Sequence, residues 1–354
     1  MSTWVLYGAT GYTGPLIAER AVERGHKPLL MGRSAEKLAA LAERLGLEWR
    51  AVPLEDAVGL REAIRGRGAV LHAAGPFIRT SAPMVQACLD EQVHYLDITG
   101  EPEVFKAVYA RHAEAGARGI VLMPGVGFDV IPSNCLVAHV ASKVPNAHTL
   151  EFALAGLGQP SAGTVKSAVP IILGGGRVFR DGREVSTPLG KGARRVRFSG
   201  REAWVAPAPI SDLDAAFHAT QIPNVTSYYA VPSRFAKLGR IGWPLGVVTL
   251  PLVRLALGGG RLDRYIERKV PGGTAESRAA GHSHLWAKAQ GPNGVVAEAW
   301  LDTPEGYEFT SHSAVRAVER VLEKKPAGAL APATVFGPDF VLELPGCSRR
   351  DSLA

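Results

Sequence analysis

Trp4-Val5-Leu6-Tyr7-Gly8-Ala9-Thr10-Gly11-Tyr12-Thr13-Gly14-Pro15 is the stretch whose reading decides the fold. Apolar residues run into a glycine, two more glycines follow at three-residue spacing, and a helical pattern opens at Pro15. Proline suits a first helical turn because its missing N–H would have had no partner there. Beyond it Ile17, Ala18, Ala21 and Val22 share one face, Glu19, Arg20, Glu23 and Arg24 the other, and Gly25 closes the pattern. A strand, a glycine turn and a helix start make a cradle for a dinucleotide pyrophosphate. Glycines let the backbone approach, and unpaired N–H groups attract the anion. The spacing is one residue longer than the common G-x-G-x-x-G fingerprint, so a tight structural turn is the competing reading. Gly8, Thr10, Gly11, Tyr12, Thr13 and Gly14 are the residues expected to face the cofactor.

Residues 27–33 read as a second strand ending in Gly32-Arg33-Ser34, with Lys37 one turn later and no carboxylate in reach. An acidic residue at that strand end would bind a ribose 2′-hydroxyl, whereas a basic one accepts a 2′-phosphate. Arg33, Ser34 and Lys37 therefore predict NADP, against the plainer reading of a surface arginine and a helix-capping serine. Leu38, Leu41 and Leu45 mark the next helix, Leu47 to Val52 a third strand, and Asp56 a helix cap. A fourth strand, Ala69 to Ala74, runs into Gly75-Pro76-Phe77, where open α/β sheets bind ligands, so Ala74, Gly75, Pro76 and Phe77 join the cofactor set. A helix from about Ala82 to Glu91, the segment Val93 to Glu101, another helix and the strand Gly119 to Met123 complete the alternation. This rhythm predicts a parallel, doubly wound Rossmann domain of the α/β class over residues 1–132.

Pro124-Gly125-Val126-Gly127-Phe128-Asp129-Val130-Ile131-Pro132-Ser133-Asn134 follows as a loop at the sheet's C-terminal edge. Taken with the glycine turn, Gly32-Arg33-Ser34, Ala74-Gly75-Pro76-Phe77 and Tyr95-Leu96-Asp97-Ile98-Thr99-Gly100-Glu101, it resembles the saccharopine dehydrogenase-like oxidoreductases. Within them it is most similar to the short reductases that include the trans-acting enoyl reductases of lipid and polyketide assembly. The likeness continues at Ser161-Ala162-Gly163-Thr164-Val165-Lys166-Ser167, Gly306-Tyr307-Glu308-Phe309-Thr310 and Phe336-Gly337-Pro338-Asp339-Phe340. Only about 175–270 is poorly matched. Two departures stand out: Asn134 where the family usually has aspartate, and Ala162 in place of a glycine. The resemblance implies an NADPH-dependent reductase of an activated double bond, with Phe128, Thr164 and Lys166 on the substrate side. Asp97, Glu101 and Asp129 are the carboxylates on hand for proton transfer, each of which could equally cap a helix or hold turn amides.

The second half reads as an α+β domain over 133–325 with a mixed or antiparallel sheet, followed by a segment, 326–354, expected to pack back on the Rossmann domain. His284 to Ala289 and Val295 to Leu301 flank Gly291-Pro292-Asn293-Gly294 as a hairpin, and Ser313 to Glu323 reads as a helix. Such a sheet leaves edges and a broad face, which predicts a homodimer. Arg177, Arg180, Arg183, Lys191, Arg194, Arg195, Arg197 and Arg201 form a basic tract. Residues 241–257 are strongly apolar between basic flanks, which fits either a buried wall or peripheral contact with a membrane or a carrier-linked substrate. Its prolines interrupt it too often for a comfortable membrane span.

Composition narrows the classes further. A chain of 354 residues, 46% hydrophobic and 21% charged, has the make-up of an ordinary globular protein with room for two domains. Three cysteines without C-x-x-C spacing argue against a disulfide framework or a zinc site and make a cytoplasmic setting the expectation, with membrane association through 241–257 as its variant. His282 and His284 alternate on one strand without a third ligand, so no metal is expected. The net charge of +7 suits a phosphate-rich cofactor and, with no nucleic-acid motif, does not argue for nucleic acid. The imine chemistry of saccharopine formation and a non-catalytic NADP-binding module remain the alternatives to enoyl reduction.

Overall fold

The computed structural model describes residues 4–156, 176–188, 191–208, 211–233 and 274–353. Thr164, Lys166 and the 241–257 stretch lie outside these. The chain divides into two compact units, residues 1–131 with 306–345, and residues 132–305 with 346–354.

The first unit is built on seven strands. Six come in order, β1 (Val5–Tyr7), β2 (Leu29–Gly32), β3 (Trp49–Ala51), β4 (Ala69–His72), β5 (His94–Asp97) and β6 (Val121–Met123), and a late strand, Gly328–Ala329, joins them. Spatially the order is late strand, β6, β5, β4, β1, β2, β3, all parallel. Helices cover both faces: α1 (Gly14–Glu23), α2 (Ala35–Leu45), α3 (Ala57–Ile64), α4 (Phe77–Glu91), α5 (Pro102–Tyr109) and α6 (His112–Ala117). With both faces covered, β1, β2, β4 and β6 are buried along their whole length, which is why they read as apolar runs rather than alternations. Strand order reverses between β1 and β4. The crevice at such a switch point is where open α/β sheets hold ligands, and the glycine turn after β1 and Ala74–Phe77 after β4 both lie there.

Two helices begin earlier than their patterns indicated. α4 opens at Phe77 rather than near Ala82 and carries Pro83 in its interior. The returning helix opens at Gly306 rather than Ser313 and runs to Lys324. Its apolar side, Phe309, Ala314, Val315, Val318 and Val321, is buried within the first unit. The unit boundary consequently lies at 305/306 instead of 325, and the last residues, 346–354, group with the second unit instead of the first.

The second unit opens on α7 (Ile131–Ser142), in which residues 131–137 are all buried. Its nine-stranded sheet takes β7 (Thr149–Ala155), β8 (Gly176–Arg180), β9 (Arg183–Thr187), β10 (Arg194–Phe198), β11 (Arg201–Pro207), β12 (Asn224–Ala230), β13 (His282–Gln290), β14 (Val296–Pro304) and the terminal strand Ser348–Arg350. β7 and β12 pair in parallel and the other pairs are antiparallel, so the sheet is mixed. β13 and β14 form the expected hairpin, with Lys288 opposite Glu298. Asn134 is fully buried and donates its amide to the Ala215 carbonyl at 3.0 Å, a bond an ionised aspartate could not make. The basic tract is dispersed into separate partners. Arg177 meets Glu184 and Asp214, Arg195 meets Glu202, and Arg194 lies over the Tyr228 and Trp286 rings. His284 pairs with Asp302 at 2.7 Å, and no cluster suited to a metal ion occurs among the described residues.

Candidate functional site

The glycine turn is shaped by two steric demands and one vacancy. Gly8 has φ +85°, and a Cβ there would lie 2.6 Å from the Ala74 nitrogen. A Cβ on Gly14 would collide with the Gly8 carbonyl and sit 2.6 Å from the Ala9 carbonyl carbon. Packing thus accounts for both. It does not account for Gly11, which is exposed and whose Cβ would meet nothing nearer than the Gly8 oxygen at 3.4 Å. Glycine at 11 keeps open the space before α1. Thr13, at the cap position, makes no side-chain capping bond, and the first turn of α1 holds no acidic residue. The start of α1 thus offers backbone N–H groups to an anion, with no carboxylate in its own first turn.

The facing wall, Ala74 to Phe77, is held from two sides. The Thr80 hydroxyl donates to the Ala74 carbonyl at 2.6 Å, with Pro76 O at 3.2 Å, and its oxygen lies 3.1 Å from Nε2 of His72. With the hydroxyl proton spent on Ala74, Nε2 must carry the imidazole proton. His72 is fully buried beside Tyr7 and Phe77, and burial pushes its pKa down to about 3, so the ring stays neutral. On the other side the Glu101 carboxylate accepts the Phe77 N–H at 2.9 Å and the Ile78 N–H at 2.7 Å. That long-range cap is what lets α4 start at Phe77, where Pro76 offers no side-chain cap of its own.

The three candidate carboxylates have different surroundings. Glu101 is buried and occupied by the two helix amides. Asp97 is fully buried and accepts from Thr99 N at 2.9 Å, Gly125 N at 2.9 Å and the Tyr95 hydroxyl at 2.7 Å. Burial raises its carboxyl to about 6 against the pull of those three donors. These bonds tie the end of β5 to the loop after β6. Asp129, on that same loop, is exposed to solvent while protein crowds it closely enough that desolvation lifts its carboxyl to about 6. Its Oδ2 lies 2.6 Å from where a Gly100 Cβ would be, and none of the described residues donates a hydrogen bond to it. Beside it, Phe128 gives its N–H to the Thr310 hydroxyl at 3.0 Å and its ring packs edge-on to Phe309 at 5.7 Å between centroids.

This arrangement matches a family model described as the saccharopine dehydrogenase NADP binding domain, over residues 4–123. A saccharopine dehydrogenase-like oxidoreductase of Bos taurus is 29% identical over 160 residues, covering 40% of this chain and 37% of that protein. A trans-acting enoyl reductase of Mycobacterium leprae is 35% identical over 156 residues, covering 42% of this chain and 37% of its own length. The chain thus spans well under half the length of these relatives. Among solved structures, apo saccharopine dehydrogenase (L-Glu forming) from Saccharomyces cerevisiae superimposes with a TM-score of 0.64 at 12% identity, covering 97% of this chain and 96% of that one. Homospermidine synthase from Legionella pneumophila, solved with NAD, gives 0.61 at 9% identity over 99% and 92% of the two chains. At those identities the structures establish a common fold.

Within the NADP-binding domain, Arg33 and Lys37 are exposed just past β2, where a ribose 2′-phosphate would lie. Ser34 caps α2, its oxygen 3.4 Å from the Lys37 N–H, and Asp56 caps α3 by accepting the Gly59 N–H at 2.9 Å. Two features of the domain escaped sequence reasoning. Thr80 and His72 carry no motif, because their task is to hold a backbone carbonyl. Thr310 and Tyr307 lie far along the chain, and only their family-like segment marked them.

Proposed function

We propose that the chain is an NADPH-dependent reductase of an activated carbon–carbon double bond, on a hydrophobic or carrier-linked enoyl substrate. The NADP-binding domain and the trans-acting enoyl reductases among its relatives support the reading. The observation that carries it is Asp129, an exposed carboxyl on the loop at the edge of the sheet that bears the glycine turn, to which none of the described residues donates a hydrogen bond. NADPH supplies a hydride. An enoyl group that accepts it at one carbon also needs a proton at the neighbouring carbon, whereas a protonated imine brings its proton with it. A carboxyl poised to hold a proton near neutral pH meets the first requirement. Asp97 and Glu101 are assigned to holding backbone amides, and Asp129 alone of the three to the proton.

In this reading the opening amides of α1 bind the pyrophosphate, with Gly11 leaving room for it. Arg33 and Lys37 neutralise the 2′-phosphate, and Ala74 to Phe77 form the wall against which the dinucleotide lies. Phe128, expected on the substrate side, is instead buried against Phe309 and anchors the loop next to Asp129. The 241–257 stretch, read from sequence alone, is the proposed contact with an apolar substrate or an anionic surface. Loss of liposome sedimentation in the Trp243→Asp, Leu250→Asp double variant tests that part.

The deciding experiment follows NADPH oxidation with long-chain enoyl thioesters and, separately, with keto acid plus amine. Turnover of the thioester with one hydride transferred from NADPH is expected. Turnover of the keto acid and amine alone would move the assignment to imine reduction, and turnover of neither to a binding module.

A further inference from the structure

Tyr12, within the glycine turn, is met by a ring from the far end of the sequence. Its ring centroid lies 4.7 Å from that of Tyr307 at an interplanar angle of 70°, an edge-to-face pair. Tyr307 is the second residue of the returning helix, Gly306–Lys324. The first turn of this helix is fastened to the loop that carries Asp129. A Cβ on Gly306 would come within 3.2 Å of the Phe128 ring, and Thr310 takes the Phe128 N–H while donating to the Gly306 carbonyl at 2.7 Å. On the α1 side, Glu308 receives Arg20 at 3.0 Å. One helical turn therefore touches both the pyrophosphate turn and the proton-bearing loop.

The tyrosine pair is not needed to dock the helix. Phe309, Ala314, Val315 and Val318 do that, and each is essentially fully buried. Tyr12 and Tyr307 stay half-exposed. Tyr12 belongs to the glycine turn and Tyr307 meets it from the returning helix, and a half-exposed aromatic pair there presents a surface that a bound dinucleotide can cover.

We infer that Tyr307 is a positioning residue for the cofactor: its ring fixes the Tyr12 ring beside the pyrophosphate and so holds the nicotinamide half of the dinucleotide in line with the loop bearing Asp129. The inference rests on the glycine turn being the NADPH site. Because it concerns a part common to both dinucleotides, it sets affinity for NADPH and NADH alike and leaves their ratio to Arg33.

The test is a double-mutant cycle read in cofactor affinity. NADPH and NADH are titrated by fluorescence against the unmodified full chain, Tyr307→Phe, Tyr307→Leu, Tyr12→Leu and the Tyr12→Leu, Tyr307→Leu double variant, with melting of each measured without cofactor. Tyr307→Leu is expected to weaken both dinucleotides at least tenfold with their ratio unchanged. Tyr307→Phe, which keeps the ring, should stay within threefold, and the double variant should be no weaker than either single. The inference is overturned if Tyr307→Leu binds NADPH within threefold of the unmodified protein. It is equally overturned if the two residues are coupled in melting temperature but additive in affinity, since the pair would then only dock a helix. Should Tyr307→Leu fail to fold, Tyr12→Leu carries the same tenfold expectation. Failure of the cofactor reading itself looks different: the unmodified protein then binds neither dinucleotide.

Discussion

The Glu101 carboxylate spans the first two amides of α4, taking the N–H of Phe77 on one oxygen and that of Ile78 on the other. A residue with the chemistry of a general acid is thus employed as a remote helix cap, and it fixes the start of α4 beside the wall proposed for the cofactor. Glu101→Gln keeps one acceptor but turns an NH2 group toward the second amide. We expect a loss of about 1–3 kcal/mol in stability, a weaker hold on NADPH, and an unchanged shape of the pH–rate profile. A lost limb in that profile would return Glu101 to the acid–base role.

Asp129 should behave in the opposite way. Its folded pKa of about 6 exceeds the ~3.9 of an unfolded chain. Between these values the native state holds a proton that the unfolded chain has released, so stability falls as pH rises through that window and the whole cost is present above pH 6. Asp129→Asn is expected to melt higher than the unmodified protein at pH 7.5, with the gain vanishing by about pH 4. Turnover should drop on the order of 10²-fold or more, and the ionisation near pH 6 should leave the rate profile. Unimpaired turnover refutes the assignment.

Arg33 is the residue proposed to set the choice of dinucleotide. Arg33→Ala removes a charge-assisted contact to the 2′-phosphate worth about 1.5–3 kcal/mol, so NADPH affinity should fall roughly 10- to 100-fold while NADH affinity barely moves. Calorimetry on both cofactors checks it, and equal binding of the two by the unmodified protein would contradict it.

Glu319 joins the returning helix to α1. It accepts Arg24 at 2.7 Å, His26 at 2.8 Å and Arg316 at 2.8 Å. Burial pushes its carboxyl up, but the hydrogen bonds from Arg24, Arg316 and His26 prevail and hold it down at about 2. Since the folded value lies below the unfolded one, this contribution is complete above about pH 4.5 and is lost as pH falls toward 2. Glu319→Gln should cost about 2 kcal/mol at pH 7 and nothing near pH 2, as read by denaturant melts.

The second unit carries the proposed self-association. The mixed sheet ends in β10 on one side and the short strand Ser348–Arg350 on the other, and such edges invite pairing with another copy. Light scattering is expected to give twice the 37.5 kDa chain mass at micromolar concentration, and a mass of 37.5 kDa would dismiss the dimer.

The sequence by itself determined the Rossmann unit, because its signals are local. An apolar run, a glycine turn and an amphipathic helix each follow from neighbouring residues, and the glycines at 8 and 14 sit where the turn physically requires them. Ser34 and Asp56 were legible as caps for the same reason, since helix caps act within a few residues. What the tertiary structure alone decided depends on partners distant in sequence. Local cap rules put the start of α4 near Ala82 because the group that caps Phe77 is Glu101, supplied from beyond the next strand. The returning helix was begun too late, and the unit boundary drawn with it, because its first turn is fixed by Phe128 through Thr310 rather than by a cap of its own. Three carboxylates that look alike in sequence were separated only by what surrounds them. Asp97 and Glu101 meet backbone amides that assemble only on folding, whereas Asp129 meets none among the described residues. Burial and hydrogen bonding are properties of the folded neighbourhood, and those are what set the proton affinity of an acid.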